Sequence, residues 1–268
     1  MYEACWGLQE KPFENTPDPR FFYESADVSE VYTRLLYTIK SNHGAALLTG
    51  DSGCGKTLLS RALLRELDAD HTEIALLNTP SQTAEEFLRE VLYQLGDDQP
   101  IEGRSQIIHR IHEILYEYYE AGKGTVVVVE EGQHIEDPAI LEEIRLLTNF
   151  QLNDAFLVTV LLVGQLPLAE RLRKHPPMDQ RITTRGWLKP LQIEETHEYV
   201  AHRLTVAGRE EQTFTEEAID LAHDFAMGVP RKINNICDIA LVVGFSRELD
   251  SIDGDWMRRL IQSERGEG

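Results

Sequence analysis

The 268-residue chain carries 26 Lys and Arg residues against 46 Asp and Glu residues, which gives a formal net charge of −20. Hydrophobic residues make up 42% of the chain, so it can bury a complete core and is globular. The negative charge repels nucleic-acid phosphates and anionic membrane surfaces, which argues against a protein that coats DNA by nonspecific attraction.

The cysteines and the N-terminus indicate a cytoplasmic location. Cys5, Cys54 and Cys237 are odd in number, far apart and without CxxC or Cys/His spacing, so neither a disulfide framework nor a zinc site is expected. The first residues lack a basic segment followed by an apolar run, and no stretch of about 18 apolar residues occurs. We therefore expect no signal peptide and no membrane span.

Strands and helices alternate up to about residue 190. The apolar spacing predicts helices at 28–40, 58–67, 83–95, 105–119 and from Pro138 to about Leu147, and strands at 45–50, 73–78, 125–130, 156–164 and after Arg181. Such alternation implies an α/β fold with a mostly parallel sheet covered by helices on both faces.

The last part of the chain shows only helical periods, which are centred on 194–207, 215–226, 231–245 and 255–263. We therefore predict a nucleotide-binding α/β domain over residues 1–190 and a small all-helical domain over 191–268. The boundary is placed at Lys189-Pro190, because no linker or low-complexity tract separates the two parts.

A phosphate-binding loop follows the first predicted strand. The segment GDSGCGKT (50–57) fits G-x-x-x-x-G-K-[ST] and lies between a predicted strand and a predicted helix, which is the context that the motif requires. Gly53 and Gly55 allow the backbone to turn N–H groups toward phosphate. Lys56 is expected to reach the β- and γ-phosphates of ATP, and Thr57 to bind Mg²⁺. The full set of predicted nucleotide-binding residues is Gly50, Asp51, Ser52, Gly53, Cys54, Gly55, Lys56, Thr57 and Leu58.

The run VVVVEE (126–131) predicts the acidic motif that accompanies such a loop. Four consecutive valines need a sheet interior, which argues against two glutamates that merely end a strand in solvent. We expect Glu130 to hold the Mg²⁺ shell and Glu131 to orient the attacking water. Glu130 is one methylene longer than the usual Asp, so it is expected to shift the ion or weaken its hold.

These motifs together resemble AAA+ ATPases of the ExeA, or general secretion pathway protein A, type. The resemblance runs nearly from end to end through WGLQEKPFENTPDPRFFY, GDSGCGKT, VVVVEEGQ, LLTNFQ, VLLVGQLPL, QRITTRGWLKPL, YVAHRLTVAG and FTEEAIDLAHDFAMGVPRKINNICDIAL. It implies an AAA+ core with a helical lid that binds and hydrolyses Mg-ATP. It also implies a homo-oligomer that assembles or remodels a protein partner, in a secretion- or envelope-related process.

The resemblance also assigns roles to single residues. Gln165 is similar to the polar sensor that contacts the γ-phosphate or the lytic water. Arg181 lies where relatives place an arginine finger that enters the neighbouring subunit's site, and Arg185 is the competitor for that role. Arg231 in GVPRKIN matches the lid arginine that reports the γ-phosphate to the helical domain.

Two departures from the family limit what is carried over, and one is Glu130, which affects the expected rate of hydrolysis and not nucleotide binding. The membrane-spanning helix and peptidoglycan-binding region that follow the ATPase in full ExeA-type proteins are not found within these 268 residues, so a direct cell-wall role is not expected. The segment PFENTPDP either folds over the adenine, with Phe13 or its neighbours packing there, or only caps a domain.

Two other functions stay open at this point. One is an ATP-gated assembly platform on DNA, like the transposon target-selection ATPases that share the AAA+ core; the charge of −20 argues against it, although RKINN at 231–235 keeps local contact possible. The other is a nucleotide-binding switch with little turnover, which is suggested by Glu130.

Overall fold

A computed structural model describes residues 2–79, 81–152 and 155–266, so the outermost residues of both predicted domains lie outside the described part. It divides into two compact units. The sheet unit comprises Ala26–Asp51 and Leu59–Leu188, and the helical unit comprises Met1–Ser25, Ser52–Leu58 and Lys189–Gly268. The functional division at residue 190 stays a prediction.

The sheet unit is built on five strands. These are β1 (Ala45–Gly50), β2 (Thr72–Leu77), β3 (Gly124–Val129), β4 (Thr159–Gly164) and β5 (Ile182–Leu188). All pairings are parallel and the order is β2-β3-β4-β1-β5. Every residue of β1 and β4 is buried, as are the four valines of β3, because helices flank the sheet. The predicted α/β fold with a parallel sheet is confirmed.

Within the described residues, seven α-helices accompany the strands in chain order. They are α1 (Ala26–Lys40), α2 (Lys56–Arg65), α3 (Ala84–Gln94), α4 (Arg104–Glu120), α5 (Pro138–Leu147), α6 (Leu166–Arg173) and the short α7 (Pro176–Asp179). Local signals fix several starts: Thr83 caps α3 in a capping box with Glu86, and Asp137 caps α5 ahead of Pro138. No helix within the described residues combines the length and apolar character needed to cross a membrane.

The strand directions decide where the functional segments emerge. Because the strands are parallel, their carboxyl ends share one edge of the sheet, and β3, β4 and β1 are neighbours in that order. The glycine loop leaves β1 after Gly50, the glutamate pair follows β3, and Gln165 follows β4. One edge of the sheet therefore carries all three segments, as in other open α/β folds that bind ligands there.

The helical unit packs four helices around its own core. They are α8 (Ile193–Val206), α9 (Glu216–Ala226), α10 (Pro230–Ser246) and α11 (Gly254–Glu264). Trp6, Phe13 and Phe21 from the N-terminal segment belong to the same core, and Phe13 meets Phe214 edge-on with ring centroids 5.9 Å apart. The side chain of Phe13 is 1% exposed, which favours the capping interpretation of PFENTPDP.

Arg203 holds the N-terminal segment onto this core. Its guanidinium donates to the backbone carbonyls of Pro12 (2.5 Å) and Glu14 (2.8 Å) and to the Tyr199 hydroxyl, and it lies 4.6 Å from the centre of the Phe21 ring. Burial raises the pKa of the Tyr199 phenol, which stays protonated and donates to Asn234. A cation that is 3% exposed is tolerated here because its donors meet carbonyl and hydroxyl oxygens.

Candidate functional site

The glycine loop has the backbone that phosphate binding requires. Gly53 and Gly55 have φ angles of 86° and 92°, a region in which a side chain would be strained. Gly53 also has no room for a side chain, since an added Cβ would lie 2.8 Å from the Cβ of Arg231. The loop ends at Lys56, the first residue of α2, where the positive end of the helix dipole favours an anion.

The helix that follows the loop also reaches the acidic motif. Ser60 lies one turn after Lys56 in α2, and its hydroxyl donates a hydrogen bond to Oε1 of Glu130. Ser60 is fully buried and Glu130 is 5% exposed, so water competes little for this contact. The backbone N–H of Glu130 also donates to the Leu77 carbonyl at the end of β2 (2.9 Å). Glu130 is therefore a fixed, buried carboxylate at the end of β3.

The donor set in these segments fits Mg²⁺. The hydroxyl of Thr57 and the carboxylate of Glu130 are hard oxygen ligands, and Mg²⁺ is held by one or two such groups together with phosphate oxygens and water. The described residues contain no group of three or more His, Cys, Asp or Glu side chains placed to hold a metal without such help. Mg²⁺ bound by either segment would therefore take most of its ligands from phosphate oxygens and water.

Glu131 has an unusual backbone conformation. Its φ and ψ angles are 51° and 33°, the left-handed region, which costs a non-glycine residue about 1 to 2 kcal/mol. A short 3-10 turn, Gly132–His134, follows and bends the chain back. The Gln133 side-chain amide donates to the Glu131 carboxylate at 2.5 Å. Gln133 thus restrains the side chain for which we predict the water-orienting role.

Gln165 is joined to the same group of residues. It directly follows β4 and precedes α6, and its backbone N–H donates to the side-chain oxygen of Gln133 at 3.0 Å. The side-chain amide of Gln133 therefore bonds both to the backbone of the predicted sensor residue and to the carboxylate of the predicted catalytic glutamate. The sensor role itself stays a prediction.

Arg231 contacts the glycine loop through its backbone. It lies in the first turn of α10, and its N–H donates to the Gly53 carbonyl at 3.2 Å. Within the helical unit this contact fixes the start of α10 against residues 52–58. The role that the resemblance implies for the Arg231 side chain stays a prediction.

The two candidate arginine fingers lie just before β5 and within it. Arg181 immediately precedes β5, and its carbonyl accepts from the N–H of Ala45, the first residue of β1. It is therefore about 20 Å, the length of β1, from the edge where Gly50 ends that strand. Arg185 lies within β5 and forms an ion pair with Asp179 at 2.7 Å. The choice between them stays open.

Two residues of this site escape prediction from the motifs alone. Ser60 follows Lys56 by four positions, a spacing that puts both side chains on one face of α2. That spacing could have identified Ser60 as a neighbour of the acidic motif. Gln133 belongs to the quoted run VVVVEEGQ, yet the sequence gives no sign that it turns back toward Glu131.

Comparison with known sequences identifies the family. The profile described as AAA domain matches residues 39–172, which is half of the chain. General secretion pathway protein A of Aeromonas hydrophila is 39% identical over 251 residues, covering 92% of this chain and 45% of that protein. The chain therefore spans less than half of the length of this relative.

Comparison with solved structures supports the same fold at low identity. The ORC2 protein of Aeropyrum pernix, in ADPNP and ADP complexes, matches with a TM-score of 0.74 and 15% identity over 98% of this chain and 74% of its own. The ORC1 protein of the same organism, in complex with DNA, matches with a TM-score of 0.68 and 16% identity over 92% and 66%. The chain belongs to the AAA+ family of P-loop ATPases and is similar in sequence to general secretion pathway protein A.

Proposed function

We propose that this protein binds Mg-ATP and hydrolyses it to drive the assembly or remodelling of a partner complex. The observation that carries the proposal is the hydrogen bond from Ser60, on the helix begun by Lys56, to Glu130 at the end of β3. It joins the helix that follows the glycine loop to a buried carboxylate at the end of β3, the position at which P-loop hydrolases carry the acidic residue that holds Mg²⁺.

Each residue of the site has a defined part in the reaction. Lys56 and the loop N–H groups bind the phosphates and stabilise the charge that builds up on them. Thr57 and Glu130 would hold Mg²⁺, which supplies further neutralisation of the phosphate oxygens when it is bound. Glu131 orients a water molecule for in-line attack on the γ-phosphate, and Gln165 contacts that phosphate or the water. Arg231 reports the bound γ-phosphate to the helical unit.

A second copy of the chain is expected to complete the site. Arg181 lies at the opposite edge of the sheet from Gly50, so within its own chain it does not reach the end of β1. An arginine that stabilises the transition state from a neighbouring subunit is worth about 10³ to 10⁵ in rate in nucleotide hydrolases. ATP turnover should therefore depend on oligomer formation.

The biological setting is inferred from the relative and from the chemistry. Its kinship with general secretion pathway protein A supports a secretion- or envelope-related process with a protein partner. A hydrolase of this kind needs a compartment supplied with ATP and Mg²⁺, which supports a cytoplasmic location.

Release of phosphate from ATP by the purified protein, measured with and without Mg²⁺, tests the activity. Affinity capture with a hydrolysis-blocked variant in the presence of ATP tests for the partner.

Glu130 variants should separate metal binding from nucleotide binding. We expect Glu130→Asp to change the Mg²⁺ concentration for half-maximal ATPase activity, because the shorter side chain moves the carboxylate relative to the ion and to Ser60. Nucleotide affinity without metal should stay within about twofold of the parent value, because Glu130 acts through the ion. Glu130→Ala should lower activity severely, since the metal loses an anionic partner. Parental activity of Glu130→Ala across a Mg²⁺ series would contradict the metal role.

A DNA-associated assembly platform is the alternative function. A structural relative was solved in complex with DNA, and Arg231 and Lys232 lie in the first turn of α10 of this chain. The charge of −20 opposes this function. We expect no binding of duplex DNA that weakens steeply between about 50 and 200 mM salt, the behaviour of phosphate contacts. A steep salt dependence in a fluorescence anisotropy titration would favour the DNA platform instead.

A nucleotide-binding switch with little turnover is the other alternative. The same phosphate-release assay distinguishes it, because a switch binds fluorescent ATP but releases phosphate no faster than the Glu131→Gln variant does. Glu130 motivates this alternative, since the metal ligand is longer than usual.

A further inference from the structure

The Gln133 side chain contacts both residues predicted to act on the γ-phosphate and its water. Its amide nitrogen donates to Oε2 of Glu131 at 2.5 Å. Its amide oxygen accepts the backbone N–H of Gln165 at 3.0 Å. Gln133 therefore bridges the end of β3 and the end of β4 with one rigid, planar group.

The backbone around Gln133 is shaped to permit this bridge. An added Cβ at Gly164 would lie 3.0 Å from the amide oxygen of Gln133 and 2.7 Å from Leu168. An added Cβ at Gly132 would lie 2.8 Å from Leu168 and 3.3 Å from the Val163 carbonyl. Both glycines therefore allow a close approach that a larger residue would prevent.

Gln133 is itself held in place from α6. The Arg171 guanidinium donates to the carbonyl of Gln133 at 3.0 Å and also to the carbonyl of Ile135. Arg171 thus fixes the 3-10 turn that follows Glu131. With the turn fixed, the left-handed backbone of Glu131 is maintained by contacts on its C-terminal side, as expected where strain persists at a functional position.

We propose that Gln133 is a positioning residue for ATP hydrolysis, which orients the Glu131 carboxylate relative to Gln165 through this amide bridge. The inference rests on the proposed function, because Glu131 needs a water and a γ-phosphate to act on. Gln133 does not contact the nucleotide in this role. Its effect reaches the reaction only through the position of the Glu131 carboxylate and of the β4 end.

Gln133→Met tests the bridge because it keeps the length of the side chain and removes both polar atoms. We expect kcat to fall roughly 10- to 100-fold, as for a catalytic group that loses its orientation. The affinity for fluorescent ATP and the KM should stay within about twofold of parental values, since phosphate binding depends on other residues. In a Glu131→Gln background the same substitution should leave the residual rate within about twofold, because the group that Gln133 positions is already inactive.

Gln133→Glu separates positioning from packing. The new carboxyl keeps the shape and still accepts the Gln165 N–H, but it cannot donate to Glu131 when ionised. We expect a kcat at least about 10-fold below that of the parent, because the new carboxylate repels the Glu131 carboxylate instead of donating to it. A role in packing alone predicts parental activity, because the new side chain has the same shape.

Gln94→Met is the matched control. Gln94 is also half-buried and donates to a glutamate, Glu90, at 2.9 Å, but the pair lies on α3. We expect parental kinetics for this variant. A Gln133→Met variant with parental kcat, or an equal further loss in the Glu131→Gln background, would overturn the positioning role while leaving the ATPase proposal intact. A parent that releases no phosphate from Mg-ATP would overturn both.

Discussion

Lys56→Ala is expected to bind ATP at least about 100-fold more weakly than the parent, because it removes the side-chain cation that the glycine loop directs at the β- and γ-phosphates. Lys56 is 9% exposed at the first position of α2, so its charge acts in a site with little screening by water. The remaining N–H groups still favour an anion but do not replace a full charge. A titration with fluorescent ATP measures the effect.

The control for this experiment is Lys40→Ala. Lys40 is the exposed last residue of α1, so its removal changes the net charge equally without changing the phosphate site. We expect this variant to bind ATP like the parent. Thermal unfolding of both variants shows whether the fold is retained. Parental affinity in Lys56→Ala would contradict the assignment of the glycine loop as the nucleotide site.

Glu131→Gln is expected to bind ATP within about twofold of the parent and to release phosphate about 10² to 10⁴ times more slowly, the usual range for losing a positioned base. The substitution keeps the size of the side chain and an oxygen that can accept from the Gln133 amide. Only the negative charge that orients the water is lost. The variant should also accumulate whichever oligomer ATP favours, which size-exclusion chromatography with ATP would detect.

Glu136→Gln provides the comparison for that variant. Glu136 is exposed and lies five positions further along the chain, beyond the 3-10 turn. The Glu136→Gln variant should hydrolyse ATP like the parent, because exposed charges away from the site contribute little to catalysis. Equal rates for Glu131→Gln and the parent would show that another group orients the water.

The parts of the site that depend on local patterns could be predicted from the sequence. The loop GDSGCGKT specifies its own backbone through glycines, and the strand before it coincides with β1 at 45–50. The valine run predicts β3 because only a sheet interior accommodates it. Both signals act over fewer than about ten residues, the range over which propensity and periodicity are informative.

The contacts of Gln133 could not be predicted because they depend on one backbone angle. Residues two positions apart do not face each other in a helix and lie on the same side of a strand. Gln133 reaches Glu131 only because Glu131 is left-handed and a 3-10 turn follows. Glutamate rarely adopts that conformation, so no local preference indicates it.

The packing of the N-terminal segment could not be predicted from the sequence for a different reason. Its short, proline-rich sequence has no hydrophobic periodicity that would indicate which element it packs against. The hypothesis that it folds over the adenine rests on the resemblance alone. Arg203 and Phe214, which hold Pro12 and Phe13, lie about two hundred positions away in the chain. Only a three-dimensional arrangement connects them.

The shared core of the N-terminal segment and the C-terminal helices has a consequence for biosynthesis. The Trp6 indole donates to the Leu241 carbonyl, which is 235 positions later, so a ribosome working at about 5 to 20 residues per second makes the partner roughly 10 to 50 s after the tryptophan. During that interval Trp6, Phe13 and Phe21 lack the helices that bury them. Closure of so long a loop makes this core slow to form. The rate of translation and the supply of chaperones should therefore limit the yield of folded protein, because the apolar side chains of the first 25 residues stay exposed until the C-terminal helices have been made.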